Sequence, residues 1–92
     1  GELLMKKLKQ AAALKYEPQD NAPRVVAIGR GEIAERIIKI SKENNIPLIQ
    51  DEETAQILCS LPINSEIPEE LYTVIAEIYA FILNMDLKNK QE

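Results

Sequence analysis

Apolar positions along this chain fall into short runs and helical stripes, separated by clear punctuation. Arg24-Val25-Val26-Ala27-Ile28 is short, apolar and β-branched, the mark of a buried strand. Ahead of it, Leu14 and Tyr16 alternate with Lys15, and residues 17–23 carry Pro18, Asp20, Asn21 and Pro23, a loop composition. Residues 11–16 are therefore paired with residues 24–28 as an antiparallel hairpin. Gly29-Arg30-Gly31 breaks the strand, and residues 32–44 read as a helix. Ile33, Ile37 and Ile40 share one face there, with Ala34 and Ile38 beside them, and charged residues take the wet side. Asn44-Asn45 supplies the stop, because Asn tolerates a left-handed cap.

Ile46-Pro47-Leu48-Ile49 predicts a second short buried strand. Asp51 is a good N-cap for a helix to about Leu61, with an apolar stripe of Ala55, Ile57, Leu58 and Leu61. Residues 63–67 form a connector or a short edge strand. Pro68 suits the first turn of the last helix, and Glu69 and Glu70 complement its dipole. Leu71, Val74, Ile75, Ile78, Ile82 and Met85 then repeat at threes and fours. Tyr72, Ala76, Tyr79, Ala80 and Leu83 widen that stripe beyond what one small sheet needs. Residues 86–92 are polar and predict a frayed tail.

The element order is strand, strand, helix, strand, helix, helix. Residues 24–49 predict a βαβ unit with a right-handed parallel crossover. The class is α/β or α+β: a small mixed sheet with helices packed on it. Residues 1–10 are taken as an N-terminal arm. Its first four residues are read as a remnant ahead of a native start at Met5 and left out of the fold; Lys6, Lys7 and Lys9 read as a solvated terminus. The folded domain spans residues 11–86, and residues 87–92 form a flexible tail.

Composition narrows the chemistry. The chain has 92 residues, 46% hydrophobic and 28% charged, which is one soluble domain with a core of its own. No run reaches the ~20 apolar residues of a membrane span, so the domain is expected to be cytoplasmic, without direct membrane insertion. A net charge of −4, no Trp and one Phe argue against nucleic acid as a partner. His is absent, and Cys59 is the sole cysteine and reads as a small packing residue. Asp51, Glu52 and Glu53 read as a dipole-matched helix start rather than a cation site. No catalytic residue, metal or cofactor is expected.

Gly29-Arg30-Gly31-Glu32-Ile33-Ala34 fits the G-x-G-x-x-A turn of dinucleotide-binding folds, with Asp51 about twenty residues on. The alternative function is thus a small nucleotide-binding βαβ domain using Gly29, Gly31, Ala34 and Asp51. Glu32 weighs against it, because its carboxylate sits where a phosphate would lie. The chain also holds too few strands for such a fold. A tight strand-to-helix turn with strain-relieving glycines is the preferred reading.

Several collinear motifs carry a more specific resemblance. They are Ala13-Leu14-Lys15-Tyr16, Ala22-Pro23-Arg24-Val25-Val26-Ala27 and Gly29-Arg30-Gly31-Glu32-Ile33-Ala34-Glu35-Arg36-Ile37. Ile46-Pro47-Leu48 and Glu66-Ile67-Pro68-Glu69-Glu70-Leu71-Tyr72 follow. Over residues 11–83 the chain resembles the cytoplasmic domain of the export-switch family of bacterial type III secretion, the flagellar FlhB and injectisome YscU group. The resemblance implies a mixed sheet of four to five strands surrounded by helices. It also implies a non-enzymatic module that recognises export substrates or switches their class. Export substrates and export-gate proteins are the implied partners, at the inner face of the membrane.

Family members cleave themselves at an Asn-Pro-Thr-His turn. Counted back from Tyr16, the corresponding positions here are Lys6-Lys7-Leu8-Lys9, so self-cleavage is not expected. A free-standing paralogue without the membrane part is the expected form. It would stand in for the cleaved fragment at the export gate or compete for substrates. The family's small apolar contact surface maps onto Ala22, Pro23, Ala76 and Tyr79, where Tyr79 replaces a smaller aliphatic residue.

Overall fold

A computed structural model of the chain describes residues 2–7 and 10–91. The elements are β1 (Glu2–Lys7), β2 (Gln10–Lys15), β3 (Arg24–Arg30), α1 (Glu32–Glu43), β4 (Leu48–Gln50), α2 (Glu52–Leu58) and α3 (Tyr72–Gln91), with a 3-10 turn at Glu69–Leu71 before α3. They form one four-stranded mixed sheet in the order β3-β2-β1-β4. β1 pairs antiparallel with β2, β2 antiparallel with β3, and β1 parallel with β4.

The first residues are not an arm. Glu2–Lys7 is an inner strand, and Leu3, Leu4 and Met5 are fully buried. Successive strand residues point to opposite faces. Accordingly Leu3 and Met5 join Ala12, Leu14 and Val25 in a core with Ala55, Leu58, Leu71 and Ile75, under α2 and α3. Leu4 faces the other way and joins Ala11 and Ala34 in a smaller core under α1, with Ile37, Ile38 and Leu48 packed against it. The sheet is thus sandwiched between α1 on one face and α2 with α3 on the other. Of the three arm lysines, Lys6 and Lys7 belong to β1, and Lys9 lies outside the described residues.

The hairpin of β2 and β3 stands as expected, with a register shift between Ala13 and Leu14. β3 and β4 run parallel but occupy opposite edges, because β1 and β2 fill the space between them. The expected βαβ unit therefore closes across two intervening strands. Residues 63–67 add no strand. Instead this connector bonds the free edge of β3: Val25 N donates to Ser65 O at 2.9 Å, and Ile67 N donates to Pro23 O at 3.0 Å. One isolated bridge joins Arg24 and Glu66.

Helix boundaries follow the punctuation. Asn45 takes the left-handed conformation at φ 56° after α1, and Asp51 Oδ1 accepts from Thr54 N at 3.2 Å ahead of α2. Burial on α1 departs from the expected face. Ala34 and Ser41 are its buried residues, while Ile33 and Ile40 are about half exposed. Small residues let α1 lie close to the sheet, and the isoleucines straddle its flank. On α2 the inward residues are Thr54, Ala55 and Leu58, and Ile57 is exposed. The backbone of α3 stays helical to Gln91 rather than ending near Asp86.

Candidate functional site

The end of β2, the loop that follows it and the first half of α3 enclose a pocket of about 350 Å³. The loop is braced locally. Asp20 N donates to Glu17 O at 2.9 Å, and Asp20 Oδ2 accepts in return from Glu17 N at 3.0 Å. The same carboxylate lies 3.7 Å from the Arg24 guanidinium. Gln19 donates to the Glu17 carboxylate at 2.6 Å, and Lys15 pairs with it at 2.9 Å. That contact with Lys15, then the Gln19 bond, holds the Glu17 carboxyl below its ordinary value. The bond from Ile67 to the Pro23 carbonyl fixes the loop against the segment that leads into α3.

Ala22, Pro23, Ala76 and Tyr79 all line this one pocket. Ala22 is 3% exposed and belongs to its floor, as do Ile67 and Ile75, whereas Ala76 is open to solvent. Asn21, Tyr16 and Tyr72 also line it, and the sequence reading assigned none of them to this surface. Tyr72 precedes Ala76 by four residues and Tyr79 by seven, so helical spacing alone places all three on one face. Tyr16 carried no such signal, because its partner is remote in sequence. Its ring centroid lies 5.9 Å from that of Tyr79, with the rings tilted by 49°. Burial, then the nearby Glu2 carboxylate and the Tyr16 ring, push the Tyr79 phenol up to about 12. It stays a neutral hydrogen-bonding group at any physiological pH. The pocket is therefore a largely apolar recess with aromatic walls.

The glycine turn is a packing device. A Cβ on Gly29 would lie 2.7 Å from Ile37 Cδ1, 2.8 Å from Ile33 Cγ2 and 3.0 Å from the Ala34 nitrogen. Gly31 sits at φ 61° with open space beside it, so backbone conformation rather than contact demands glycine there. The nucleotide alternative fails on topology. Gly29 ends β3 and Asp51 follows β4 at the opposite sheet edge, three strand spacings or roughly 14 Å away. A ribose-binding acid needs the adjacent strand. Asp51 is also occupied in capping α2. Gly29, Gly31, Ala34 and Asp51 do not make a cofactor site.

Cys59 is buried, and desolvation raises its thiol despite a pull from Arg30. Arg30 Nη2 donates to Cys59 O at 3.1 Å, which satisfies a carbonyl at the end of α2. Among the described residues no three His, Cys, Asp or Glu side chains converge as metal ligands would. No helix of the described residues is long and apolar enough to cross a membrane.

The family described as FlhB HrpN YscU SpaS matches residues 8–82. The chain belongs to that family. Among curated relatives, it is 40% identical over 87 residues to the protein YlqH of Bacillus subtilis, covering 91% of this chain and 94% of that protein. It is 40% identical to the flagellar biosynthetic protein FlhB of Aquifex aeolicus, over 79% of this chain but 21% of that protein. The FlhB of Escherichia coli gives 39% over 78% and 19%. The chain thus spans about a fifth of the FlhB relatives and nearly all of YlqH.

Solved structures agree. The cytoplasmic domain of FlhB from Shewanella putrefaciens superposes with a TM-score of 0.87, at 24% identity, over 97% of this chain and 74% of that one. An EscU C-terminal domain gives 0.77 at 26% identity over 82% and 77%. The fold is that of the FlhB/YscU cytoplasmic domain, a part of the protein-export machinery.

Proposed function

We propose that this FlhB-type domain is a non-enzymatic interaction module of the flagellar or type III export apparatus, and that its pocket takes an apolar segment of an export substrate. One observation carries the reading. The four positions singled out by resemblance, dispersed from Ala22 to Tyr79, converge on a single apolar recess. Tyr79 does not fill that recess; its ring turns against Tyr16 and forms a wall. The domain works on the cytoplasmic face of the export apparatus, with gate proteins as its second class of partner.

Self-cleavage is not part of this function. Residues 6–9 are Lys6, Lys7, Leu8 and Lys9, which offer no side-chain amide to attack the following carbonyl. The purified chain should keep a single full-length mass on prolonged incubation. Two fragments split within residues 6–9 would refute this. β1 lies between β2 and β4 in the sheet.

The test is an amide NMR titration of the labelled chain with a purified hook-class flagellar export substrate. The expected outcome is local shifts at Ala22, Tyr72, Ala76 and Tyr79, lost in an Ala76→Arg variant that keeps the parent spectrum elsewhere. An unchanged spectrum at saturating substrate, or shifts confined to other surfaces, would overturn the reading.

A further inference from the structure

The aromatic pair is a shared wall, not an end. Tyr16 and Tyr79 also line a second recess of about 450 Å³, which continues along α3 through Ala80, Ile82 and Leu83 toward Pro47 and Glu2. Together the two recesses form one groove beside α3 from Tyr72 to Leu83, about 16 Å at 1.5 Å per helical residue. That length holds about five residues of extended peptide. Its walls are mainly apolar, with Asn21 near one end and Glu2 at the other, and Leu83 is 60% exposed. Among the described residues Glu2 is the one charged side chain lining either recess.

The charge at that end is directional. Lys15 lies opposite Glu2 across β1 and β2, but its ammonium is held by Glu17 at 2.9 Å. Glu2 is exposed, lines the second recess, and its charge is felt by Tyr79 and by Lys15. We propose that the groove's occupant is an extended apolar segment with a lysine or arginine at one end, seated so that its cation reaches Glu2. This rests on the reading that the Ala22–Tyr79 pocket takes an apolar segment, and it adds the length, direction and charge of that segment. Glu2 would set the polarity with which the segment lies along α3.

Selection of phage-displayed random peptides against the intact chain tests this, run in parallel on Glu2→Lys and Ala76→Arg variants with native melting curves. The expected result is enrichment of peptides with alternating apolar residues followed by Lys or Arg. The basic preference should vanish or turn acidic on Glu2→Lys, and all enrichment should vanish on Ala76→Arg. A selected peptide should bind Glu2→Gln about two- to fivefold more weakly at low salt, the weight of an exposed ion pair, with the gap closing at high salt. Apolar peptides selected without charge preference, or with one that Glu2→Lys leaves unchanged, would overturn this proposal and leave the pocket reading intact. No enrichment over Ala76→Arg would overturn both.

Discussion

The two faces of the sheet are closed in different ways. Under α1 the closest contacts are small: Ala11, Ala34 and the bare Gly29 backbone let the helix approach closely, and the recess left on that helix is lined largely by charged residues, Glu35, Lys39, Lys42 and Glu43. Under α2 and α3 the core is larger, built from Leu3, Met5, Leu14, Leu58 and Ile75, and the long helix overhangs it. The overhang, with Tyr16 and Tyr79 propping it, makes the groove. A glycine-rich turn on one face looked like a ligand site and is packing. A helix that is apolar around much of its circumference, on the other face, carries the recess. Close packing consumes small residues and leaves no room, so a binding surface is better sought where large side chains fail to mesh.

Substitutions on β1 probe both faces at once, because Leu3 and Leu4 are neighbours pointing opposite ways. Each Leu→Ala change should cost about 2–5 kcal/mol in urea unfolding. A cost below about 1 kcal/mol at either would show that β1 is not the inner strand. Next in size is the glycine turn. Gly29→Ala should cost about 1–3 kcal/mol through overpacking, and a second change, Ile37→Val, should recover part of it by removing the clashing methyl. Gly31→Ala should cost about as much through its positive φ, with no recovery from Ile37→Val. Equal rescue of both would erase the distinction between contact and conformation.

The smallest effect belongs to the groove wall. The folded Tyr79 phenol titrates near 12, above the ordinary value of about 10. The native state therefore keeps a proton that the unfolded chain releases. Its contribution to stability is fully present below pH of about 10 and is lost as pH rises toward about 12. Urea midpoints across that window should fall more steeply for the parent than for Tyr79→Phe. Parallel losses would mean that the ring is not enclosed.

Much of this was legible beforehand. Pro18 to Pro23, Gly29 to Gly31, Asn44-Asn45 and Asp51 each mark a turn or cap with a stated backbone reason, and the elements between them fall where those residues direct. β1 was not legible. Leu3-Leu4-Met5 is a short apolar run between Glu2 and Lys6, and the sequence that follows lacks the Asn-Gly or Asp-Gly that announces a hairpin. Missing it also misplaced β4, whose real neighbour is β1. The α1 face was legible in part: Ala34, Ile37 and Ile38 pack as periodicity suggests, but Ile33 and Ile40 are half exposed while the small Ser41 is buried. The four site positions came from resemblance; Tyr72 was within reach of helical spacing, and the Tyr16–Tyr79 pair depended on the tertiary fold.

The parallel pairing of β1 with β4 has a consequence for how the chain is made. β1, β2 and β3 are consecutive and can close as a meander as soon as they leave the ribosome. The outer side of β1 must wait for Leu48–Gln50, some forty residues later. At about 5–20 residues per second, that is roughly 2–8 seconds of translation. Through that interval Leu3, Leu4 and Met5 sit beside an unpaired backbone edge, and the nascent domain has its greatest need of a chaperone.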